Sequence, residues 1–207
     1  ESPRSTLSST RAEGRTRPRD RFVTEREAGL SSAMSQVMAL LQHHSRVDTP
    51  VDLAVASCCK SWLPLGLDLN DLNSGSLLAA LMLGLRCPEP LCEVCAEVLV
   101  EAMNVSTFPA LGQLSPLHQE LLKGLTLAAP ACMPPAGAEG TPMAFARVLV
   151  AAVGVANGEA WASVAERPSG ASNSPVELML ELCSLDDTRV LEEVAGGWAK
   201  LAEGPFE

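Results

Sequence analysis

The sequence predicts an all-α protein, built of short helices paired into antiparallel hairpins. Three observations carry that prediction. The 207-residue chain is 47% hydrophobic yet only 3% aromatic, with no Tyr and no Ile, whereas strands are enriched in aromatic and β-branched residues. No segment alternates convincingly with the period of two that a half-buried strand requires. A Ser/Thr-Pro pair precedes an apolar run four times, at Thr49-Pro50, Ser115-Pro116, Thr141-Pro142 and Ser174-Pro175. In each, the hydroxyl can cap the first free N–H groups and the proline fits the first helical position, where its missing N–H costs nothing.

Residues 1–27 are rich in Ser, Arg, Thr and Pro with almost nothing apolar, so a disordered or loosely ordered lead-in is expected there. Its "RPRDR" reads as solvated tail rather than targeting patch. A first helix is expected over 29–44, where Leu30, Met34, Val37, Met38 and Leu41 recur on one face and His43 and His44 suit the negative C-terminal end. The second, over 50–63, starts on Thr49 as cap and Pro50. Its stripe holds Val51, Val55, Cys58 and Trp62, with Ala54 and Cys59 flanking it and Lys60 opposite. Further helices are expected over 74–86, 90–104, 115–129, 142–165, 175–185 and 187–203. The loops "CPEP" at 87–90, "PACMPPAGAEG" at 130–140 and "RPSGASN" at 167–173 separate them.

Two of these helices predict their surroundings. Over 175–185, Val176, Met179, Leu180 and Cys183 form one stripe and Leu178 with Leu182 another. A helix apolar on two sides is expected between neighbours. Ser174 and Glu177 have the spacing of a capping box. Over 187–203, capped by Asp186 or Asp187, a single stripe of Val190, Leu191, Val194, Trp198 and Leu201 predicts one open surface. Gly196-Gly197 weakens that helix by about 1 kcal/mol per glycine relative to alanine, which close approach of a neighbouring helix would explain. Trp62-x-x-Leu65-Gly66 is echoed by Trp198-x-x-Leu201-Ala202. Eight helices in four pairs with this echo predict an α-solenoid of about 40-residue units over 28–207, part of a longer array.

The chemistry-bearing residues are read as packing. A reactive thiol wants a cationic neighbour or a helix N-terminus, but Cys58 and Cys59 lie in the second half of their helix. Cys92 and Cys95 form C-x-x-C on one helix face, and a zinc site needs two further ligands. Cys58-Cys59, Cys87 and His43-His44 offer none with a paired spacing of its own. Seven cysteines without a regular framework read as reduced thiols. His118 stands near a helix start without an obvious partner. The carboxylate pair Glu192-Glu193 reads as a solvent face. Asn104-Val105-Ser106 matches a glycosylation acceptor, but no secretory leader is expected ahead of it, because the first residues are polar and Arg-rich. No phosphate-binding, dinucleotide-binding or hydrolase motif is present. No catalytic, cofactor-binding or metal-binding residue is therefore assigned, no cofactor is expected, and the chain is not expected to be an enzyme. The competing thiol or metal reading would use Cys58, Cys59, Cys92 or Cys95.

The net charge is −10. Residues 1–26 hold seven Arg against Glu1, Glu13, Asp20 and Glu25, a balance of +3, which leaves −13 on the remainder. An acidic body repels nucleic-acid phosphates and suits basic protein partners, while residues 1–26 could meet an acidic one. No apolar run reaches the roughly 20 residues of a membrane span, so no membrane insertion is expected. The chain opens with Glu rather than Met, as a fragment or processed product would.

The stretch "ASCCKSWLPLGLDLNDLNSGSLLAALMLGL" resembles the helix, tryptophan, linker and following helix in the middle of import receptors of the importin-β superfamily, in the transportin-SR and importin-thirteen branch. "EVCAEVLVEAM" is similar to the next helix there, and "PVELMLELCSLDDTRVLEEVAGGWAKLAE" resembles a later hairpin. The resemblance runs from about residue 28 to 204 and lies in packing residues. It implies HEAT repeats, part of a nuclear transport receptor (a karyopherin, importin or exportin) that carries protein cargo, shuttles between cytoplasm and nucleus, and releases cargo with the GTPase Ran. Ran would be held by parts of the full-length chain outside this segment, and no Ran- or cargo-contacting residue is carried over. A scaffold or adaptor without Ran dependence is the alternative.

Overall fold

The structure, a computed structural model, describes residues 18–46, 48–65, 76–105, 115–134, 141–154 and 165–202. Among them are eight α-helices and no strand. These are α1 (Pro18–His43), α2 (Leu53–Trp62), α3 (Ser76–Gly84), α4 (Leu91–Val105), α5 (Pro116–Cys132), α6 (Thr141–Gly154), α7 (Pro175–Cys183) and α8 (Thr188–Ala202). A 3-10 turn, Leu63–Leu65, extends α2. The all-α prediction holds at this level.

The helices form two rows. α1, α3, α5 and α7 touch in that order, as do α2, α4, α6 and α8, and each odd-numbered helix packs on the even-numbered one that follows it. One continuous apolar core fills the space between the rows. Leu77, Leu81, Leu85, Leu99, Leu121, Leu125 and Leu149 are fully enclosed in it, and each contributes about 1.5–3 kcal/mol of burial. The large contribution of leucine suits short helices that must gain most of their stability from tertiary packing.

The helix starts divide into those the sequence placed and those it did not. Ser115 caps α5, its hydroxyl accepting from the His118 N–H at 3.3 Å. Ser174 heads α7 with a complete capping box. Its hydroxyl accepts from the Glu177 N–H at 3.2 Å, and the Glu177 carboxylate accepts from the Ser174 N–H at 2.6 Å. Asp187 caps α8 by accepting from the Arg189 N–H at 2.9 Å. At Thr141 the helix begins on the residue itself, whose hydroxyl donates to the Cys132 carbonyl at 3.2 Å and ties the end of α5 to the start of α6. Thr49 does not start α2. The N-cap is Asp52, without a side-chain cap bond, because Val51 is drawn into the core and donates its N–H to the Ala80 carbonyl of α3 at 3.1 Å. That long-range bond holds residue 51 outside the helix and delays its first turn.

Other boundaries moved as well. α1 begins at Pro18, well before residue 29, so residues 18–27 of the expected loose lead-in are helical. They include three Arg and two Glu, which propagate helix well, behind a proline at the first position. Residues 1–17 lie outside the described residues. α5 carries Pro130 in its last turn and continues to Cys132. Burial of Ala129 and Cys132 outweighs the tendency of proline to end a helix. The expected helix over 142–165 is seen as α6 to Gly154, and residues 155–164 are outside the described set.

α6 is enclosed more fully than α7. α6 touches α4, α5, α7 and α8 and buries most of its surface, with Phe145, Val148, Leu149, Ala152 and Val153 fully enclosed and its Arg147, Ala151 and Gly154 edge open. α7 buries one face, Pro175, Leu178, Met179 and Leu182, and leaves Leu180 58% exposed. Of the expected stripe Val176, Met179, Leu180 and Cys183, Met179 is buried and Val176 and Cys183 pack on the core, so only Leu180 faces solvent. α8 differs similarly: Val190 and Val194 are buried and Trp198 partly so, while Leu191 is exposed.

Candidate functional site

The cysteines come first, because any thiol or metal chemistry would need them. α2 buries Ala56 and Cys59 and continues the line through Leu63 in the 3-10 turn, while Val55, Cys58 and Trp62 border that line. The sequence reading had Cys58 inside and Cys59 at the edge. The order is reversed because α2 is rotated so that its Cys59 side faces α4, where Cys59 lies near Cys95. Cys92 and Cys95 of α4 are both fully enclosed. Gly84 of α3 makes room for the second, since a Cβ at that position would run into Cys95 Sγ.

Burial sets the protonation of these thiols. It pushes Cys59 up to about 12, reinforced by neighbouring Cys58, and Cys95 up to about 12, reinforced by Cys87, Cys92 and Cys59. Cys132 is raised to about 11 by burial, with Arg86 pulling the other way. Cys92 and Cys87 are raised, again chiefly by burial. A thiol held neutral is a poor nucleophile and a poor metal ligand. Among the described residues no three His, Cys, Asp or Glu side chains are arranged to hold a metal ion. All seven cysteines are free thiols.

The histidines occupy two settings. His43 and His44 meet edge to face with ring centres 5.3 Å apart at the end of α1. His118 is 1% exposed. Its Nδ1 lies 2.6 Å from the Ser115 hydroxyl, the partner that sequence reading could not supply, and burial lowers its pKa below the usual histidine value. The capping serine thus holds both the backbone and the ring of the same residue.

The surface with the geometry of a binding site lies on the second row. A groove of about 400 Å³ runs across α4, α6 and α8. Ala96, Val100, Val150 and Ala151 give it an apolar floor, and Glu97, Arg147 and Glu193 stand on its walls. Asn104 and Gly154, from the last turns of α4 and α6, close one end. Helix C-termini carry partial negative charge, so that end adds to the carboxylates. The Glu97 carboxylate accepts from Lys60 of α2 at 2.7 Å, an ion pair with both side chains about half exposed; such pairs contribute at most about 1 kcal/mol. Arg147 and Glu193 have no ion pair within 4.0 Å among the described residues.

Sequence reading assigned no residue to this groove. It is assembled from side chains nearly 100 positions apart on three helices, and only one signal was local. Glu93, Glu97 and Glu101 recur at i, i+4 and i+8 on α4, which lines three carboxylates along one side of the helix. Like charges at that spacing destabilise a helix by a few tenths of a kcal/mol per pair.

No protein-family model, curated protein or solved structure matches this chain. Its function must accordingly be argued from its own packing and surface. Among the described residues no helix is long and apolar enough to cross a membrane.

Proposed function

We propose that this chain is the central HEAT-repeat segment of a nuclear transport receptor of the importin-β superfamily, which carries basic protein cargo between cytoplasm and nucleus under control of Ran. The observation that carries the reading is the two-row arrangement. Each helix touches its hairpin mate and its counterparts in the neighbouring pairs, as the hairpins of an α-solenoid do. Trp62 lies in α2 and Trp198 in α8, both second-row helices, and both indoles lean on the common core.

Exposed leucines add support. Leu30 and Leu40 of α1, Leu53 of α2, Leu180 of α7 and Leu191 of α8 face outward, so five of the six exposed leucines among the described residues belong to the first and last pairs; the sixth, Leu127, lies on α5. A free-standing solenoid covers its ends with polar residues; these ends suit further pairs on either side. Function in this reading is recognition without bond chemistry: an acidic superhelical surface attracts basic cargo and many modest contacts hold it.

A nucleotide-dependent pull-down from the full-length chain tests the proposal. Ran loaded with GTP should bind and displace basic cargo, while Ran loaded with GDP should do neither. Equal behaviour with the two nucleotides would reject the receptor and leave the Ran-independent scaffold.

A further inference from the structure

We propose that Thr49 is a phosphorylation site for a proline-directed protein kinase. Four Ser/Thr-Pro pairs fall within the described residues, and the fold commits three of their hydroxyls. Ser115 caps α5, and Ser174 is buried in the capping box of α7. Thr141 is buried and donates to the Cys132 carbonyl. In all three the proline lies in the first turn of the helix, so an enzyme would have to unwind that turn to reach the hydroxyl. Thr49 is different. The Val51 bond to Ala80 holds back the start of α2 to Leu53, which leaves Thr49 ahead of the N-cap Asp52 and without a capping role. Thr49 is exposed, and its hydroxyl makes no hydrogen bond among the described residues. Asp48, Pro50 and Asp52 are exposed beside it, and of residues 48–52 only Val51 turns inward.

The residues around Thr49 define the kind of enzyme. Pro50 biases the residue before it towards extended backbone, and residues 50–52 belong to no helix, so the acceptor is presented on a loop. Proline has no N–H. An apolar pocket therefore accepts it after the acceptor residue, whereas another residue there would bring a buried donor without a partner. Asp48 and Asp52 flank the pair, which suits a kinase that reads the proline and disfavours one that reads basic neighbours. The step is transfer of the γ-phosphoryl group of ATP. The bond from Thr49 Oγ1 to phosphorus forms as the bond to the β–γ bridging oxygen breaks. ADP leaves, and the hydroxyl proton passes to the catalytic aspartate of the kinase. The product adds about −1.5 to −2 charge between two carboxylates, in the loop that joins α1 to α2. The site does not depend on the transport reading.

The test incubates the folded chain with ATP and a purified kinase of the mitogen-activated class, and locates phosphate by peptide mass spectrometry. Ser2→Ala is present throughout, because Ser2-Pro3 lies outside the described residues. Phosphate should appear on Thr49 and be absent there in Thr49→Ala. Pro50→Ala, a change at an exposed position, should also lose it although the hydroxyl remains. Asp52→Asn should keep it. Short peptides carrying each of the four pairs remove the fold from the comparison. Ser115, Thr141 and Ser174 should be modified at least about tenfold more slowly in the folded chain than in their peptides, since each needs local opening of a helix start. Circular dichroism of each variant checks that the helices remain. A folded chain without phosphate on Thr49 would overturn the proposal, as would labelling of Thr49 that Pro50→Ala leaves unchanged. Labelling of Ser115, Thr141 and Ser174 in the folded chain as fast as Thr49 would do the same, because the fold would then not select the acceptor.

Discussion

Two adjacent glycines in α8 show how far a single methyl group can change sign with its setting. Gly197 is buried against α6, and a Cβ there would lie 2.7 Å from Val150 Cγ1 and 3.0 Å from Cγ2. At Gly196 nothing lies within 4 Å of the same atom. Helix propensity favours alanine at both positions by about 1 kcal/mol, so only packing distinguishes them. Gly196→Ala should raise stability by up to about 1 kcal/mol. Gly197→Ala should lower it by about 1 kcal/mol, because overpacking of about 1–3 kcal/mol exceeds the propensity gain. Val150 is β-branched and has little rotamer freedom in a helix, so it cannot turn aside. Urea denaturation of the two variants checks the opposite signs, and Val150→Ala combined with Gly197→Ala should recover part of the loss. The close approach was foreseeable from the glycine pair, but which of the two served it was not: that depends on the rotation of α8 about its own axis.

At the scale of elements, the capping box of α7 and the caps at Ser115 and Asp187 were legible because every interaction in them is local. Ser174 and Glu177 are three residues apart and need nothing from the rest of the chain to find each other. Their contribution also depends on pH. The Glu177 carboxyl is held below its ordinary value of 4.5, first by the Ser174 N–H it accepts from and then by Arg167. A lowered folded-state pKa means that the ionised form is favoured by folding. Its contribution is therefore present above the ordinary carboxyl value and disappears as pH falls through the depressed one. Thermal melts should show Glu177→Ala less stable than the unaltered chain at neutral pH, with the gap narrowing below about pH 4.5. Ser174→Ala should cost about 1 kcal/mol at neutral pH. A pH-independent gap for Glu177→Ala would mean that the carboxylate acts only as packing. The start of α2 was not legible by the same reasoning. Its boundary is set by the Val51 bond to Ala80, 29 residues away along the chain; that Cys59 rather than Cys58 enters the core depends likewise on how α2 is rotated against its neighbours. The groove shares the difficulty, since Glu97, Arg147 and Glu193 come together only once α4, α6 and α8 are side by side.

At the scale of the whole molecule, the two rows explain why apolar residues appear on both sides of some helices and where those sides end up. α6 touches α4, α5, α7 and α8 and leaves its Arg147, Ala151 and Gly154 edge to the groove; α7 touches α5, α6 and α8 and exposes Leu180. The two-sided sequence pattern of α7 is thus packed except at Leu180, which no described residue covers. In the proposed array the following pair covers it. This reading gives Leu180 a context-dependent energy. Within the present segment, Leu180→Ser removes an exposed side chain and should change stability by no more than about 0.5 kcal/mol, as surface substitutions do. In a longer chain that includes the following residues, the same change should cost about 2 kcal/mol or more, because it then deletes buried apolar surface. Chemical denaturation of the two lengths, each with and without the substitution, measures the difference directly. Equal small effects in both would mean that no neighbour lies against α7, and the solenoid would end at this pair instead of continuing beyond it.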